Sequence, residues 1–197
     1  AVGYSPRILV CASAVGYYGD RGEEELDESA RPGDGFLAEV CRDWETEAMA
    51  ARGMGIRVAS IRTGIVLGPN GGALAAMLPV FRWGLGGPMG SGAQWWPWIH
   101  LADVVGLYVL AIETEVEGPL NAVAPGVVRQ KDFAQALGRV LHRPAFLPAP
   151  KFALNIAAGE FARELLGSQR IKPQKALDLG YEFRFPKLDA ALAEILR

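Results

Sequence analysis

Cysteine and histidine are both scarce in this sequence, with only two of each among 197 residues. A disulfide scaffold or a clustered zinc site needs more of these side chains, so neither is expected and no metal site is predicted. Cys11 and Cys41 lie within apolar patterns, which is typical of buried free thiols. Free thiols persist in a reducing compartment, so the cytoplasm is the expected location.

An excess of charge and a long apolar run are also missing. The chain carries 20 lysines and arginines against 22 aspartates and glutamates, and its formal net charge is −2. No basic field is therefore present to attract nucleic acid or an anionic membrane. The apolar runs are too short and too interrupted to span a bilayer, and the first residues lack the pattern of a secretory signal. Binding to nucleic acid or to a membrane is not expected.

Short apolar runs alternate along the chain with segments of helical periodicity. Residues 8–12 and 56–61 are predicted strands, and residues 36–52 between them are a predicted helix. The apolar positions of this helix recur at helical spacing: Leu37, Val40, Cys41, Trp44, Ala48 and Ala51. Further predictions are a strand at 120–124 and helices at 101–114, 130–142, 152–166 and 188–196. The alternation predicts an α/β fold with a parallel sheet.

The strand–GxGxxG–helix unit that cradles a dinucleotide pyrophosphate does not occur in the sequence. The glycine-rich stretch GLGGPMGSG at residues 84–92 is no substitute, because the aromatic segment WWPWIH follows it instead of a helix. Two interpretations follow. Either the fold is not a dinucleotide-binding one, or the first half of that fold precedes this sequence.

Several motifs resemble one family in the same order along the chain. They are SAVGYYGDRGEE at 13–24, FLAEVCRDWE at 36–45, RVASIRTGIVLGPNGGAL at 57–74, GLGGPMGSGAQWWPWIHLADVV at 84–105 and GPLNAVAP at 118–125, with RPAFLPAP, LLGSQRIKP and GYEFRFP in the tail. Through them the chain resembles the epimerase-like group of the extended short-chain dehydrogenase/reductase superfamily, whose members carry a small C-terminal domain of unknown function. In that family the glycine loop and the first four strands precede the segment that begins here.

The resemblance implies the C-terminal half of a Rossmann-like NAD(P)-binding fold, a doubly wound parallel sheet, with a small α+β lobe for substrate and C-terminus. The first predicted strand would be the fifth of that sheet, and the second would be the sixth. The implied domains are residues 1–70 for the Rossmann-like half, 71–142 for the substrate lobe with a returning strand, and 143–197 for the small C-terminal domain. The implied cofactor is NAD or NADP, and the implied partner is a small-molecule substrate.

In this superfamily a serine at the end of the fifth strand binds the reacting oxygen, and a tyrosine transfers the proton. A lysine four residues after the tyrosine lowers the pKa of the phenol, which otherwise lies near ~10. That pair is missing here. In one register the two positions hold Phe36 and Val40, and in the register shifted by one they hold Leu37 and Cys41. The first lysine of the chain is Lys131.

Ser13, Tyr17 and Tyr18 are therefore the predicted catalytic residues, with one of the two tyrosines replacing the usual proton donor. Two other interpretations stay open. The protein could bind the dinucleotide without redox chemistry, or it could use Ser13 with substrate-assisted chemistry. A hydrogen-bonded turn without a catalytic role also accounts for the sequence VGYYGD.

The resemblance implies cofactor contacts at the ends of two strands. These contacts are Ala12, Ser13 and Ala14 after the first strand, and Gly64, Ile65 and Val66 after the second. Gly64 allows a close approach of the backbone, and the apolar pair after it would pack against the nicotinamide. Arg62, just before this stretch, could form an internal ion pair or face a phosphate, and the internal pair is the preferred prediction.

Substrate contacts are predicted at Gln94, Trp95, His100 and Asn121. The neighbouring Trp96 and Trp98 are predicted core residues. His100 and Asp103 open a predicted helix, where a cap and a favourable dipole interaction are expected.

The resemblance implies an NAD(P)-dependent epimerase or oxidoreductase that acts on a sugar nucleotide or another small carbonyl or hydroxyl substrate. The alternative is a catalytically silent dinucleotide-binding sensor or scaffold, which the missing tyrosine–lysine pair favours. The helix at 36–52 is the candidate surface for a homodimer.

Overall fold

A computed structural model describes residues 6–69, 71–149 and 166–197 of the chain. The predicted helix at 152–166 lies outside these residues except for its last position. The strands are β1 (Ile8–Ala14), β2 (Glu25–Leu26), β3 (Arg57–Thr63), β4 (Ile65–Leu67), β5 (Trp95–Trp96), β6 (Trp98–His100), β7 (Gly118–Ala122), β8 (Val128–Arg129) and β9 (Arg170–Ile171). The α-helices are α1 (Phe36–Met49), α2 (Gly72–Arg82), α3 (Leu101–Glu113), α4 (Gln130–Leu141), α5 (Gln174–Asp178) and α6 (Leu188–Ile195).

A parallel three-stranded sheet with the order β1–β3–β7 forms the centre of the described fold. The inner residues of β3 are all buried, as expected for a central strand that is covered on both faces. The register pairs Ser13 with Arg62 and Arg62 with Asn121. Side chains of paired residues point to the same face of a sheet, so these three lie in one row near its carboxyl end.

Helices α1 and α3 cover opposite faces of this sheet. Val58 packs with Ala48 of α1, whereas Ile61 packs with Leu107 of α3. Odd and even positions of a strand point to opposite faces, so the fold has three layers, as the α/β prediction requires. Arg62 shares the face of Val58, and its row of paired residues therefore faces α1.

A second hydrophobic cluster joins α2, α4 and α6 to the short strands β4, β5 and β6. Its buried members include Leu74, Phe81, Trp96, Trp98, Phe133, Leu137 and Leu192. The prediction that Trp96 and Trp98 are core residues is confirmed. Helix α6 lies among the residues predicted as a C-terminal domain, and it shares this core with α4.

Helix α1 differs from its prediction in its end and in its buried face. It ends at Met49 and continues as a 3-10 turn over Ala50–Met54, which Gly55 closes in the left-handed region at φ 74°. Trp44, counted above with the apolar face, is 59% exposed. The buried face of α1 is instead formed by small side chains, among them Cys41.

The predicted strand at 120–124 begins two residues earlier, as β7. Gly118 starts it with a positive φ of 70°, which glycine adopts without strain. The stretch after β3, for which no strand is predicted above, contains β4, which pairs in parallel with β6. Periodicity cannot reveal strands as short as these, because two or three residues do not complete a pattern.

Within the described ranges, no helix is both long enough and apolar enough to cross a membrane.

Candidate functional site

The row of paired side chains near the carboxyl end of the sheet is the candidate site. Ser13, Arg62 and Asn121 are all buried there. A 3-10 turn that follows β1 directly carries Tyr17 and Tyr18. In open parallel sheets, ligands bind outside the carboxyl ends of the strands. The structure thus brings the three predicted catalytic residues and one predicted substrate residue to the end of the sheet where such ligands bind.

Glu45 of α1 joins Ser13 to Arg62. Arg62 donates from Nε to Oε1 of Glu45 at 2.8 Å and from Nη2 to Oε2 at 2.7 Å, which is a bidentate pair. Ser13 Oγ donates to the same Oε1 at 2.7 Å. The side chains of Arg62 and Glu45 are 3% and 12% exposed. The predicted internal ion pair of Arg62 is confirmed.

Glu45 is not among the residues that the sequence predicts for the site. At 3.6 residues per turn, it lies on the same helix face as Cys41 and Ala48, which are buried against the sheet. Glu45 lies four residues after Cys41 and three before Ala48. This spacing is the sequence signal that could have identified it as an inward-facing carboxylate. The more apolar Trp44 beside it turns towards solvent instead.

Tyr18 is fully buried, and its hydroxyl is held on two sides. It donates to Oδ1 of Asn121 at 2.7 Å and accepts from Nη1 of Arg62 at 2.9 Å. Asn121 makes further hydrogen bonds inside the fold: its Nδ2 donates to the Lys172 carbonyl at 2.9 Å, and its backbone N–H donates to Glu28. Burial raises the pKa of Tyr18 to about 12, although the Arg62 cation opposes the shift.

Tyr17 has a different environment from its neighbour. Its half-buried ring lies over the guanidinium of Arg62, 3.4 Å from the ring centroid to Cζ. The ring meets that of Tyr18 edge to face, with centroids 5.3 Å apart. The cation–π contact fixes the ring of Tyr17, whereas the hydroxyl of Tyr18 is fixed by hydrogen bonds inside the fold.

The other three predicted substrate residues bond to different parts of the fold. Gln94 is buried and donates from Nε2 to the Met89 carbonyl. Trp95 donates from Nε1 to Glu23, and His100 pairs through Nε2 with Glu194 at 3.0 Å. The predicted cap is confirmed: His100 is the N-cap of α3, and its Nδ1 accepts from the backbone of Ala102 at 3.0 Å. Asn121 alone of the four hydrogen-bonds to the network around Ser13 within the part of the chain that is described.

Gly64 is required by the packing of the protein itself. A Cβ at this position would lie 2.3 Å from the Pro97 carbonyl oxygen and 2.9 Å from Cγ1 of Val123. The lack of a side chain lets β4 run close to the segment that leads into β6, where Ile65 N–H donates to the Pro97 carbonyl. The other predicted cofactor residues keep accessible surface: Ala12 is exposed, and Ala14, Ile65 and Val66 are half-buried.

Stability at high pH is expected to depend on Tyr18. Its folded pKa of about 12 lies above the ordinary value of 10.0, so the folded state keeps a proton that the unfolded state releases between those values. The contribution of Tyr18 to stability is present below pH 10 and is lost as the pH rises towards 12. Urea unfolding between pH 9 and about 11.5 would show a steeper fall for the wild type than for Tyr18→Phe. If the free energy of unfolding fell equally with pH in both proteins, the prediction would be wrong. Tyr181, whose pKa is also raised, contributes equally to both proteins.

Two family profiles match the chain. The profile of the NAD dependent epimerase/dehydratase family matches residues 2–123, which include β1, β3, β7 and the whole row of the candidate site. The profile of a domain of unknown function, DUF1731, matches residues 149–195.

Individual proteins resemble the chain over nearly all of its length. The epimerase family protein SDR39U1 homolog, chloroplastic, of Arabidopsis thaliana is 46% identical over 193 residues, which are 98% of this chain and 55% of that protein. The crystal structure of human epimerase family protein SDR39U1 (isoform2) with NADPH superimposes with a TM-score of 0.90 at 42% identity, covering 96% of this chain and 65% of that one. The nucleoside-diphosphate sugar epimerase from Corynebacterium glutamicum gives a TM-score of 0.79 at 38% identity, covering 96% of this chain and 37% of that one. This chain therefore spans between about one third and two thirds of these proteins.

Proposed function

Because the chain belongs to the NAD dependent epimerase/dehydratase family, we propose that it is the substrate-handling part of an NAD(P)-dependent epimerase or oxidoreductase. The substrate class is a sugar nucleotide or another small carbonyl or hydroxyl compound. Family membership confirms the resemblance seen in the motifs, and the Rossmann-like α/β fold is confirmed as well. The observation that carries the proposal is the row of Ser13, Arg62 and Asn121 beside Tyr17.

The residues at the end of β1 fit a dinucleotide. Ala12 is exposed and Ala14 is half-buried, so the end of β1 keeps accessible apolar surface that a flat ring can approach. We propose Ile65 and Val66 as an apolar wall and Gly64 as the residue that sets their position. The human relative was crystallised with NADPH, which favours NADP over NAD for this chain. When bound, the dinucleotide supplies or accepts the hydride.

Ser13 is suited to orient the reacting oxygen of a substrate. Its hydroxyl hydrogen is directed to Glu45, so the lone pairs of Oγ can accept a hydrogen bond from a substrate hydroxyl. Arg62 holds both oxygens of Glu45 and so fixes the carboxylate that fixes Ser13. Glu45 is a positioning residue in this scheme.

Tyr17 is the proposed proton-transferring residue. Transfer of the phenolic proton to a substrate oxygen leaves a phenolate, and the Arg62 guanidinium against the ring lies where it would balance that charge. Arg62 thus takes the place of the lysine that the sequence lacks. Tyr18 is assigned to positioning, because its hydroxyl is buried and hydrogen-bonded to Asn121 and Arg62.

Trp95 is the substrate contact that we retain among the four predicted. Its ring is half-buried and its centroid lies 4.0 Å from Cζ of Arg129, whose charge is paired with Glu23. The remaining exposed ring surface is the part that we propose contacts a substrate. For the buried Gln94, His100 and Asn121 we propose a supporting role, because their side chains are hydrogen-bonded within the fold.

A catalytically silent dinucleotide-binding protein is the second candidate. The observation that favours it is the carboxylate of Glu45 bonded to Ser13, because α1 brings a carboxylate to Ser13 and contains no lysine. The two candidates differ in one measurable property. Both bind the dinucleotide, and only the first converts a substrate.

The test uses the full-length protein with Ser13→Ala and Tyr17→Phe. NADPH binding is followed by fluorescence, and UDP-glucose and a simple aldehyde are offered for epimerisation and reduction. We expect all three proteins to bind NADPH within about threefold, and each substitution to lower turnover about 100-fold. Ser29→Ala, on an exposed loop where Ser29 Oγ bonds Asp27, is the matched control.

Three outcomes would change the assignment. Equal turnover in all variants would remove Ser13 and Tyr17 from the chemistry. NADPH binding without conversion of any substrate would favour the silent protein. A full-length protein that binds neither NADPH nor NADH would have no dinucleotide function.

Two further proposals concern the cellular location of the protein and its self-association. A cytoplasmic location is supported by the free thiols of Cys11 and Cys41. Pairing of two copies through α1 is supported by the exposed rings of Phe36 and Trp44 on that helix.

A further inference from the structure

Residues 168–172, here called the strap, contact the loop that carries Tyr17 and Tyr18. Gln169 makes the central contact. Its Nε2 donates to the Val15 carbonyl at 3.0 Å and to the Gly19 carbonyl at 3.1 Å. One side-chain amide therefore holds both ends of the turn that presents the two tyrosines.

The turn depends on bonds from outside itself. It is a single 3-10 turn of four residues, and Ala14 before it supplies no side-chain cap. Gly19 after it adopts a positive φ of 62° and bonds back to the Gly16 carbonyl. A turn of this length is marginal alone, so its place depends on bonds from other segments, and the strap supplies the side-chain bonds at its two ends.

The strap also holds the rest of the loop between β1 and α1. Ser168 N–H donates to Oδ1 of Asp20, and Ser168 Oγ donates to the Gly22 carbonyl at 2.7 Å. β9 then pairs in parallel with β2, and Lys172 N–H donates to the Leu26 carbonyl at 2.8 Å. The Lys172 carbonyl in turn accepts from Nδ2 of Asn121.

The far side of the strap is attached to β5. Trp95 N–H donates to Ser168 Oγ at 3.1 Å, and Gln169 N–H donates to the Trp95 carbonyl at 3.2 Å. The strap thus links the tyrosine turn, the Asn121 end of β7 and the Trp95 strand through short hydrogen bonds. These are the parts that must keep a common geometry in the candidate site.

We propose that the strap, acting through Gln169, is the positioning element of the site and sets the location of Tyr17 relative to Ser13. This is a role for the C-terminal region whose family profile carries no function. The consequence for turnover rests on the proposed function above, whereas the consequence for the turn does not.

The test compares Gln169→Met with Gln174→Met in the full-length protein. Methionine keeps the length of the side chain and removes the amide. Gln174 is the matched control, because it lies on α5 just after the strap and its Nε2 only bonds Asp178 on the surface. If Gln169→Met does not fold, Gln169→Asn, one methylene shorter, is measured in its place.

Two readouts report on the turn without any substrate. Hydrogen exchange should become about tenfold faster at Gly19 and at Gly33, whose N–H donates to the Tyr17 carbonyl, and should stay unchanged in β3. The ¹³Cζ resonance of Tyr17 should shift in Gln169→Met and not in Gln174→Met. Unchanged exchange and an unchanged resonance would overturn the proposal.

The kinetic readout separates positioning from general stability. With a converted substrate, kcat should fall about tenfold in Gln169→Met while KM for NADPH changes less than about twofold. An altered turn with unchanged kcat would make the strap a purely structural element and would overturn the positioning role. If the wild type converts no substrate, the proposed function fails, and the exchange and resonance data still decide whether the strap positions the turn.

Discussion

Arg62→Met is expected to lower the free energy of unfolding by about 3–5 kcal/mol. The substitution removes a cation that is almost fully buried and leaves the Glu45 carboxylate inside the fold without its bidentate partner. Tyr17 loses the guanidinium beneath its ring, and Tyr18 loses a hydrogen-bond donor. Urea or guanidinium unfolding of the full-length protein measures the loss.

Arg52→Met is the matched control for this prediction. Arg52 forms an ion pair with Glu117 at 2.6 Å, but the two side chains are 43% and 52% exposed. Exposed pairs contribute little, so the expected loss is below about 1 kcal/mol. Equal losses of unfolding free energy in the two variants would mean that the buried Arg62–Glu45 pair stabilises the fold no more than an exposed pair does.

A double variant tests the reason for the loss. Replacing Glu45 by methionine in the Arg62→Met background removes the unpaired carboxylate and should recover part of the stability. Turnover should not recover, because Ser13 then lacks the group that orients it.

Asp103→Ala is expected to cost about 3 kcal/mol of stability and to loosen the segment before α6. Asp103 is fully buried in the first turn of α3. Its carboxylate accepts from the backbone N–H of Arg184 at 2.8 Å and from that of Phe185 at 3.0 Å. Alanine leaves both donors without their charged partner. Unfolding gives the energy, and trypsin cleavage after the exposed Arg184 should become faster.

Asp132→Ala separates this anchoring from the helix dipole. Asp103 and Asp132 both occupy the third residue of a helix, in α3 and α4, but Asp132 is exposed. A dipole contribution of about 0.3–1 kcal/mol is therefore common to both positions. If Asp103→Ala costs no more than Asp132→Ala, the bonds to Arg184 and Phe185 do not anchor the segment.

Local patterns predicted the long elements of this fold well. The strand that begins at Ile8, the helix that begins at Phe36 and the helices α3 and α4 each span enough residues for apolar periodicity to show. The prediction of Arg62 as an internal ion pair also followed from its place at the end of a buried strand. The motifs around Ser13 and Asn121 were sufficient to indicate the family.

The chemistry of the candidate site could not be read in the same way. Ser13 meets Glu45 across 32 positions of the chain, and Gln169 meets Val15 across 154. No local pattern contains both partners of such a bond. The two adjacent tyrosines were equivalent in the sequence, and only the path of the turn buries Tyr18 and leaves Tyr17 over a guanidinium.

The sequence by itself determined the α/β class and the family, and it placed the candidate site at the end of β1, because these depend on short-range periodicity and on contiguous motifs. Only the tertiary structure decided which groups act on Ser13 and the tyrosines. The parallel register aligns Ser13, Arg62 and Asn121, and the rotation of α1 turns Glu45 inward in preference to Trp44. The physical reason is that a buried charge is stable only beside its partner, and the partner is chosen by packing between distant segments.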